Sequence, residues 1–165
     1  MSEQNGGPDG PLYLDKAEPE IFAAMSDVWK KIAAAAETAG ISIQLLELVN
    51  LRISQLNGCA YCLDVHHSKA LRLGEDPRRL AVLQEWQETD LFDDTESAAL
   101  ELAECVTRIP VPAARGEIED MARQVLGDAA YAVVAWAAIV MNGFNRLSIT
   151  SHHPVRPARK AEDKS

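Results

Sequence analysis

The stretch LELVNLRISQLNGCAYCLDVHHSKALRLG, residues 46–74, is the part of the chain on which the rest depends. It holds Cys59 and Cys62, separated by two residues, and His66 follows four positions after the second cysteine. Glu47 precedes the first cysteine by twelve positions. These four residues are the candidate site, and most of the remaining sequence predicts helices that hold them in place.

Helical spacing of apolar residues dominates the sequence on both sides of this stretch. Ser42 is the expected N-cap of an apolar helix that ends at the turn dipeptide Asn57-Gly58, so that Cys59 begins the next helix. Capping residues, proline and glycine divide the chain into seven predicted helices. Their approximate ranges are 19–37, 42–56, 59–73, 76–88, 95–108, 117–126 and 128–149.

Composition predicts an all-α protein with a single domain. Apolar residues make up 47% of the 165 residues but aromatic residues only 5%, and alanine is abundant, which favours packed helices over a sheet. We therefore expect a bundle of about seven helices with the CxxC at the start of the third. The helical domain is expected over residues 15–151, between a flexible N-terminal tail (1–14) and a flexible C-terminal tail (152–165).

Charge and segment lengths indicate a cytoplasmic protein. The formal charge of −9 argues against electrostatic binding to nucleic acid or to an anionic membrane. The first ten residues lack the basic and apolar regions of a signal peptide. The longest apolar run, residues 129–141, is shorter than the roughly 20 residues that span a membrane, and is expected to form a core or interface helix.

The cysteine pair is suited to two-electron redox chemistry. Cys59, Cys62 and His66 share one helix face. Cβ atoms three residues apart on a helix are about 5–6 Å apart, whereas a disulfide needs about 3.8 Å. A relaxed first turn after Gly58 would close that difference. A helix start also favours a thiolate.

Two other interpretations of the CxxC are weaker. The cysteines could be small half-buried residues on an alanine-rich helix. A structural zinc site normally takes four ligands from separate segments, but His67 points about 140° away from Cys62 and no second ligand pair exists in the sequence. Cys105 and the three tryptophans, Trp29, Trp86 and Trp136, are expected to be packing residues.

The spacing Glu-x11-Cys-x2-Cys-x3-His resembles the redox pattern of the alkylhydroperoxidase D-like branch of the carboxymuconolactone decarboxylase family. Glu47, Cys59, Cys62 and His66 fit this spacing without a gap. The segments NLRISQLNGCAYCLDVHHSKALRLGE, WQETDLFDDTESAALELAECVTRI and NGFNRLSI also look like family segments. The resemblance covers residues 18–150. Tyr61 departs from the best-known peroxidase of the family, which has a histidine before the second cysteine.

The resemblance implies a thiol-dependent peroxidase that needs no metal, haem or flavin. Cys62 would attack the peroxide, Cys59 would condense with the resulting sulfenic acid, and His66 with Glu47 would relay protons. An external dithiol would reduce the disulfide. A homo-oligomer, trimer or hexamer, is also implied. With Tyr61 in place of the histidine, we expect weaker activity or more reliance on Glu47.

Three alternatives remain at this stage. The same pair could serve a thiol-disulfide oxidoreductase or redox switch that does not use peroxide. The chain could be a helical oligomeric binding protein with incidental cysteines. Lactone decarboxylation, the other activity of the family, is disfavoured because that branch does not depend on a CxxC.

Overall fold

The computed structural model describes residues 10–155, and all regular secondary structure in that range is helical. The prediction of an all-α fold is therefore confirmed. The elements are α1 (Leu14–Ala17), α2 (Pro19–Thr38), α3 (Ile43–Asn57), α4 (Ala60–Arg72), α5 (Pro77–Val82), a 3-10 segment (Leu83–Glu88), α6 (Asp94–Arg108) and α7 (Pro112–Thr150).

Side-chain oxygens cap the starts of α3, α5 and α6. The Ser42 hydroxyl accepts a hydrogen bond from the Leu45 backbone N–H at 3.1 Å, as predicted. Asp76 caps α5 ahead of Pro77. Asp93 and Glu96 form a reciprocal capping box at the start of α6, which satisfies two backbone N–H groups that the first helical turn leaves free.

The predicted helix boundaries differ from the structure in three places. A short helix, α1, precedes the first predicted one, so the CxxC opens the fourth helix. The helix predicted over 76–88 divides after Val82 into α5 and the 3-10 segment, and Glu85 inside that segment leaves helical backbone angles. The last two predicted helices follow each other inside α7, which starts at Pro112 and bends at Gly127 (φ 75°, ψ 162°), a conformation that suits glycine.

Helix α3 is the centre of the fold. Leu46, Leu48, Val49 and Ile53 have no exposed surface, because α3 packs against α4, α6 and α7. Helix α7 is long and apolar enough to cross a membrane by length and composition alone. Its packing along α6 and α3 and its fully buried Asn145 fit a core helix of the bundle better.

The two ends of the described chain meet beside this bundle. The Leu14 N–H donates to the Ser151 hydroxyl at 3.1 Å, and the ring of His153 stacks on Tyr13 with centroids 5.4 Å apart. His153 falls in the predicted C-terminal tail, yet its Nε2 lies 3.0 Å from an Asp15 carboxylate oxygen. Packing therefore extends to His153. The rest of both predicted tails, residues 1–9 and 156–165, lies outside the described residues.

Candidate active site

The two cysteines of the CxxC are joined by a disulfide at the start of α4. Cys59 is the N-cap residue with extended backbone angles (φ −84°, ψ 93°), and its Cα lies 5.3 Å from that of Cys62. Gly58, in the left-handed region at φ 67°, makes the turn before it. The two cysteines can form a disulfide because Cys59 lies outside the regular helix. This is the relaxed first turn that the Asn57-Gly58 dipeptide predicts.

Glu47 and His66 form a buried hydrogen-bonded pair beside the disulfide. His66 Nδ1 lies 2.6 Å from Glu47 Oε2, and the two residues are 8% and 2% exposed. Glu47 comes from α3 and His66 from α4, one turn beyond Cys62. The carboxylate fixes the ring so that Nδ1 carries the proton toward Glu47 and Nε2 remains an acceptor when the ring is neutral.

One cation supports the charge of this buried carboxylate. Lys69 Nζ lies 3.9 Å from Glu47 Oε1, and its side chain is 42% exposed. A partly hydrated lysine at that distance contributes a weak attraction. His66 is consequently the principal partner of Glu47.

A cavity of about 340 Å³ opens next to this pair. Cys62 and His66 both line it, whereas Cys59 does not. Much of the remaining wall is apolar and comes from α2 and α7: Phe22, Trp29, Met141, Phe144 and Leu147. Among the two cysteines, Cys62 is therefore the one that faces a space able to hold a small molecule.

The structure brings the four predicted site residues together. It also adds residues to the cavity that sequence reasoning missed, among them Asn50 on α3 and the Asp15–His153 pair. Tyr61 lies between the two cysteines in sequence, and its ring is 5.2 Å from that of His153. An imidazole thus reaches the neighbourhood of Tyr61 from a part of the chain more than ninety residues away.

A buried polar network holds α3 against α7 behind the cysteines. The Asn57 amide donates to the side-chain oxygens of Asn142 and Asn145, both at 2.9 Å. Asn145 in turn donates to the Ser54 hydroxyl at 3.2 Å, and the Ser54 backbone carbonyl accepts from the Cys59 N–H at 3.1 Å. This network stabilises the turn that precedes α4 and so holds Cys59 in position.

The other expected packing residues divide into buried and exposed ones. Cys105 is 4% exposed, and burial raises the pKa of its thiol. Trp86 is buried and donates its indole N–H to Glu104 at 2.9 Å. Trp29 packs against the hydrophobic core, as predicted, and also lines the cavity. The prediction for Trp136 is wrong within this chain, because its side chain is 56% exposed.

Metal ligands do not cluster in the described part of the chain. Across residues 10–155, no group of three or more histidine, cysteine, aspartate and glutamate side chains could hold a metal ion. The donors at the site are two disulfide sulfurs and one histidine already bonded to a carboxylate. Once the disulfide is reduced, the arrangement offers two thiols, an imidazole and a carboxylate for chemistry.

The sequence is similar to proteins of one family over most of its length. The model of the carboxymuconolactone decarboxylase family matches residues 19–104. YdfG of Bacillus subtilis, an uncharacterized protein, is 34% identical over 131 residues, which cover 79% of this chain and 86% of YdfG. The chain belongs to the carboxymuconolactone decarboxylase family. YnjA of Escherichia coli, also uncharacterized, is 41% identical over 64 residues, 38% of this chain and 35% of YnjA.

A solved structure has the same fold. ATU0492 of Agrobacterium tumefaciens superimposes with a TM-score of 0.80 over 90% of this chain and 99% of its own, at 23% identity. ATU0492 is described as a protein of unknown function and provisionally as the antioxidant defence protein AhpD. The fold is thus the alkylhydroperoxidase D-like one, and within it the chain carries a disulfide-forming CxxC.

Proposed function

We propose that this protein is a thiol-dependent peroxidase that reduces organic hydroperoxides or hydrogen peroxide through Cys59 and Cys62. The observation that carries the proposal is the buried Glu47–His66 pair, whose imidazole shares a cavity wall with the cavity-facing cysteine of a CxxC disulfide. A proton relay beside a thiol pair is the combination that peroxide reduction needs. The provisional description of ATU0492 as an antioxidant defence protein fits this combination.

The first half of the cycle consumes the peroxide. In the dithiol form, His66 takes the proton of Cys62, and Glu47 stabilises the imidazolium through Nδ1–H. The thiolate attacks the terminal peroxide oxygen, so that an S–O bond forms and the O–O bond breaks. The imidazolium then protonates the leaving alkoxide or hydroxide, which gives an alcohol or water and a Cys62 sulfenic acid.

The second half restores the thiols. The Cys59 thiol displaces the sulfenic hydroxyl as water and forms the disulfide seen in the structure. An external dithiol then attacks the disulfide, leaves as its own oxidised form, and returns two thiols to the protein. The cycle oxidises one dithiol for each peroxide reduced, and this chain's own residues provide every group at the site.

The cavity supports organic hydroperoxides as substrates alongside hydrogen peroxide. A volume of about 340 Å³ falls within the usual range of small-molecule pockets and far exceeds what hydrogen peroxide requires. Aromatic and aliphatic side chains in its wall, Phe22, Trp29 and Leu147 among them, would bury the organic portion of a substrate. Cumene hydroperoxide is therefore a suitable probe.

Assembly into a homo-oligomer, a trimer or hexamer, is part of the proposal. An apolar groove runs between α2 and α7 and is lined by Val28, Lys31, Ile32, Ala35, Ala132, Val133 and Trp136. We call it the Trp136 groove. An exposed tryptophan beside exposed Val28 and Ile139 forms an apolar patch typical of subunit contacts.

Steady-state consumption of cumene hydroperoxide with a dithiol reductant tests the proposed activity. We expect turnover by the wild-type protein and only the background rate with Cys62→Ser. Cycling against a small disulfide without any response to peroxide would instead favour a thiol-disulfide oxidoreductase. Conversion of the family's lactone, unaffected by Cys62→Ser, would favour a decarboxylase, and inactivity in all three assays would favour a binding protein.

A further inference from the structure

Asn50 is a buried polar residue of the cavity that the proposed cycle does not use. It lies on α3, three positions after Glu47, and therefore on the same face of that helix. It lines the cavity together with Cys62 and His66. Residue 50 has no exposed surface, so its side chain lies at the enclosed end of the cavity.

Neither polar atom of the Asn50 side chain has a partner within the described residues. Both Nδ2 and Oδ1 lack a hydrogen bond, whereas its backbone carbonyl accepts from the Ser54 hydroxyl at 2.7 Å. Burying a donor and an acceptor without partners destabilises a protein, so such groups are rare in native structures and each one needs an explanation. Leucine at this position would lack both unpartnered atoms.

The unpartnered amide matches the hydrogen-bonding groups of a hydroperoxide. An asparagine offers N–H donors and a carbonyl acceptor, and a hydroperoxide offers one O–H donor and oxygen acceptors. A thiolate could use only the donor. A molecule of the type R–O–O–H can therefore satisfy both amide atoms beside Cys62.

We infer that Asn50 binds the hydroperoxide group and orients it toward Cys62 in the dithiol form. The Oδ1 atom accepts from the O–H of the oxygen that is attacked, and Nδ2–H donates to the oxygen that leaves. Negative charge grows on the leaving oxygen as the O–O bond breaks, so the donated hydrogen bond strengthens in the transition state. This inference rests on the proposed peroxidase function and adds a substrate-binding residue to it.

Asn50→Ala and Asn50→Leu test the inference, with Gln44→Ala as the matched control. Gln44 lies on the exposed side of the same helix, so its loss removes an amide without touching the cavity. The rate of oxidation of the dithiol protein by hydrogen peroxide and by cumene hydroperoxide is measured for each variant. We expect a fall of about tenfold to a hundredfold for both Asn50 variants and a rate within about twofold of wild type for the control.

The alkylation rate of Cys62 by iodoacetamide between pH 6 and pH 9 separates peroxide binding from other roles. We expect its pH profile to be unchanged in both Asn50 variants, with melting temperatures no lower than wild type for Asn50→Leu. Peroxide rates equal to wild type would overturn the inference and leave the peroxidase standing. A parallel fall in alkylation would also overturn it, since Asn50 would then act on the thiolate. A wild-type protein inert to peroxide would overturn both proposals.

Discussion

His66 Nδ1 and Glu47 Oε2 lie 2.6 Å apart in the interior of the protein, and His66 shares a cavity wall with Cys62. A buried carboxylate without a partner would be costly, and the imidazole provides that partner. The same hydrogen bond leaves the second ring nitrogen available to exchange a proton inside the cavity. The contact between α3 and α4 therefore stabilises the buried carboxylate of Glu47 and also orients His66 for proton transfer.

Replacing Glu47 by glutamine separates the charge of the carboxylate from its volume. The side-chain oxygen of the introduced glutamine can still accept from His66 Nδ1–H, so we expect the melting temperature to change by less than about 4 °C, the equivalent of roughly 1 kcal/mol. The imidazolium loses its counter-charge, and we expect the peroxide rate constant to fall at least about tenfold. Glu37→Gln, at an exposed position of α2, is the control. Equal rates for both variants would exclude Glu47 from the relay.

Single serine variants of the CxxC assign the attacking thiol. Cys62 lines the cavity and Cys59 does not, so we expect Cys59→Ser to accumulate a sulfenic acid that dimedone labels after peroxide treatment. Cys62→Ser should give no such label, because, of its two remaining thiols, Cys59 does not line the cavity and Cys105 is buried. Mass spectrometry of the labelled peptide measures both results. Labelling of Cys59 in the Cys62→Ser variant alone would reverse the assignment.

Cys105 is expected to remain outside the redox cycle. Burial, with a smaller contribution from the Glu119 carboxylate, raises the pKa of the Cys105 thiol above its usual value. A raised pKa keeps the thiol protonated at pH 8, where an ordinary cysteine is partly ionised. Alkylation of the reduced native protein at pH 8 should therefore modify Cys62 at least about tenfold faster than Cys105. Equal rates at the two positions would contradict the expectation that Cys105 stays outside the redox cycle.

The Trp136 groove is expected to be a subunit contact. Trp136→Glu places a charge in the apolar patch, which should be unfavourable in a desolvated interface. We expect the mass from size-exclusion chromatography with light scattering to fall below that of wild type, whereas Gln124→Glu, at an exposed position of the same helix, leaves it unchanged. A wild-type protein that is already monomeric would refute the proposed assembly.

Local signals made much of the fold and the four-residue site predictable. Ser42, Asp76 and Asp93 cap helices with side chains that are visible in the sequence. The turn at Gly58 and the helical repeat then bring His66 onto the face that meets Glu47. The turn and the helical repeat both act within about twenty residues, so the spacing of residues in the sequence is enough to predict them.

Contacts between distant parts of the chain could not be predicted in this way. Asp15 and His153 are separated by 138 positions, and no spacing in the sequence links them. Helical periodicity marks Trp136 as apolar but does not tell whether its partner is this chain or another copy. Asn50 carries no motif, and its importance arises only from the absence of partners for its amide within the described residues.

Stopped-flow oxidation of the fully reduced protein by peroxide, with thiols counted before and after, tests the peroxidase proposal most directly. The chain has three cysteines, and the disulfide takes two of them while Cys105 stays free. We predict a fall from three thiols to one per chain, at a rate proportional to the peroxide concentration and with no added reductant. No peroxide-dependent loss of thiols above that of Cys62→Ser would contradict the proposal.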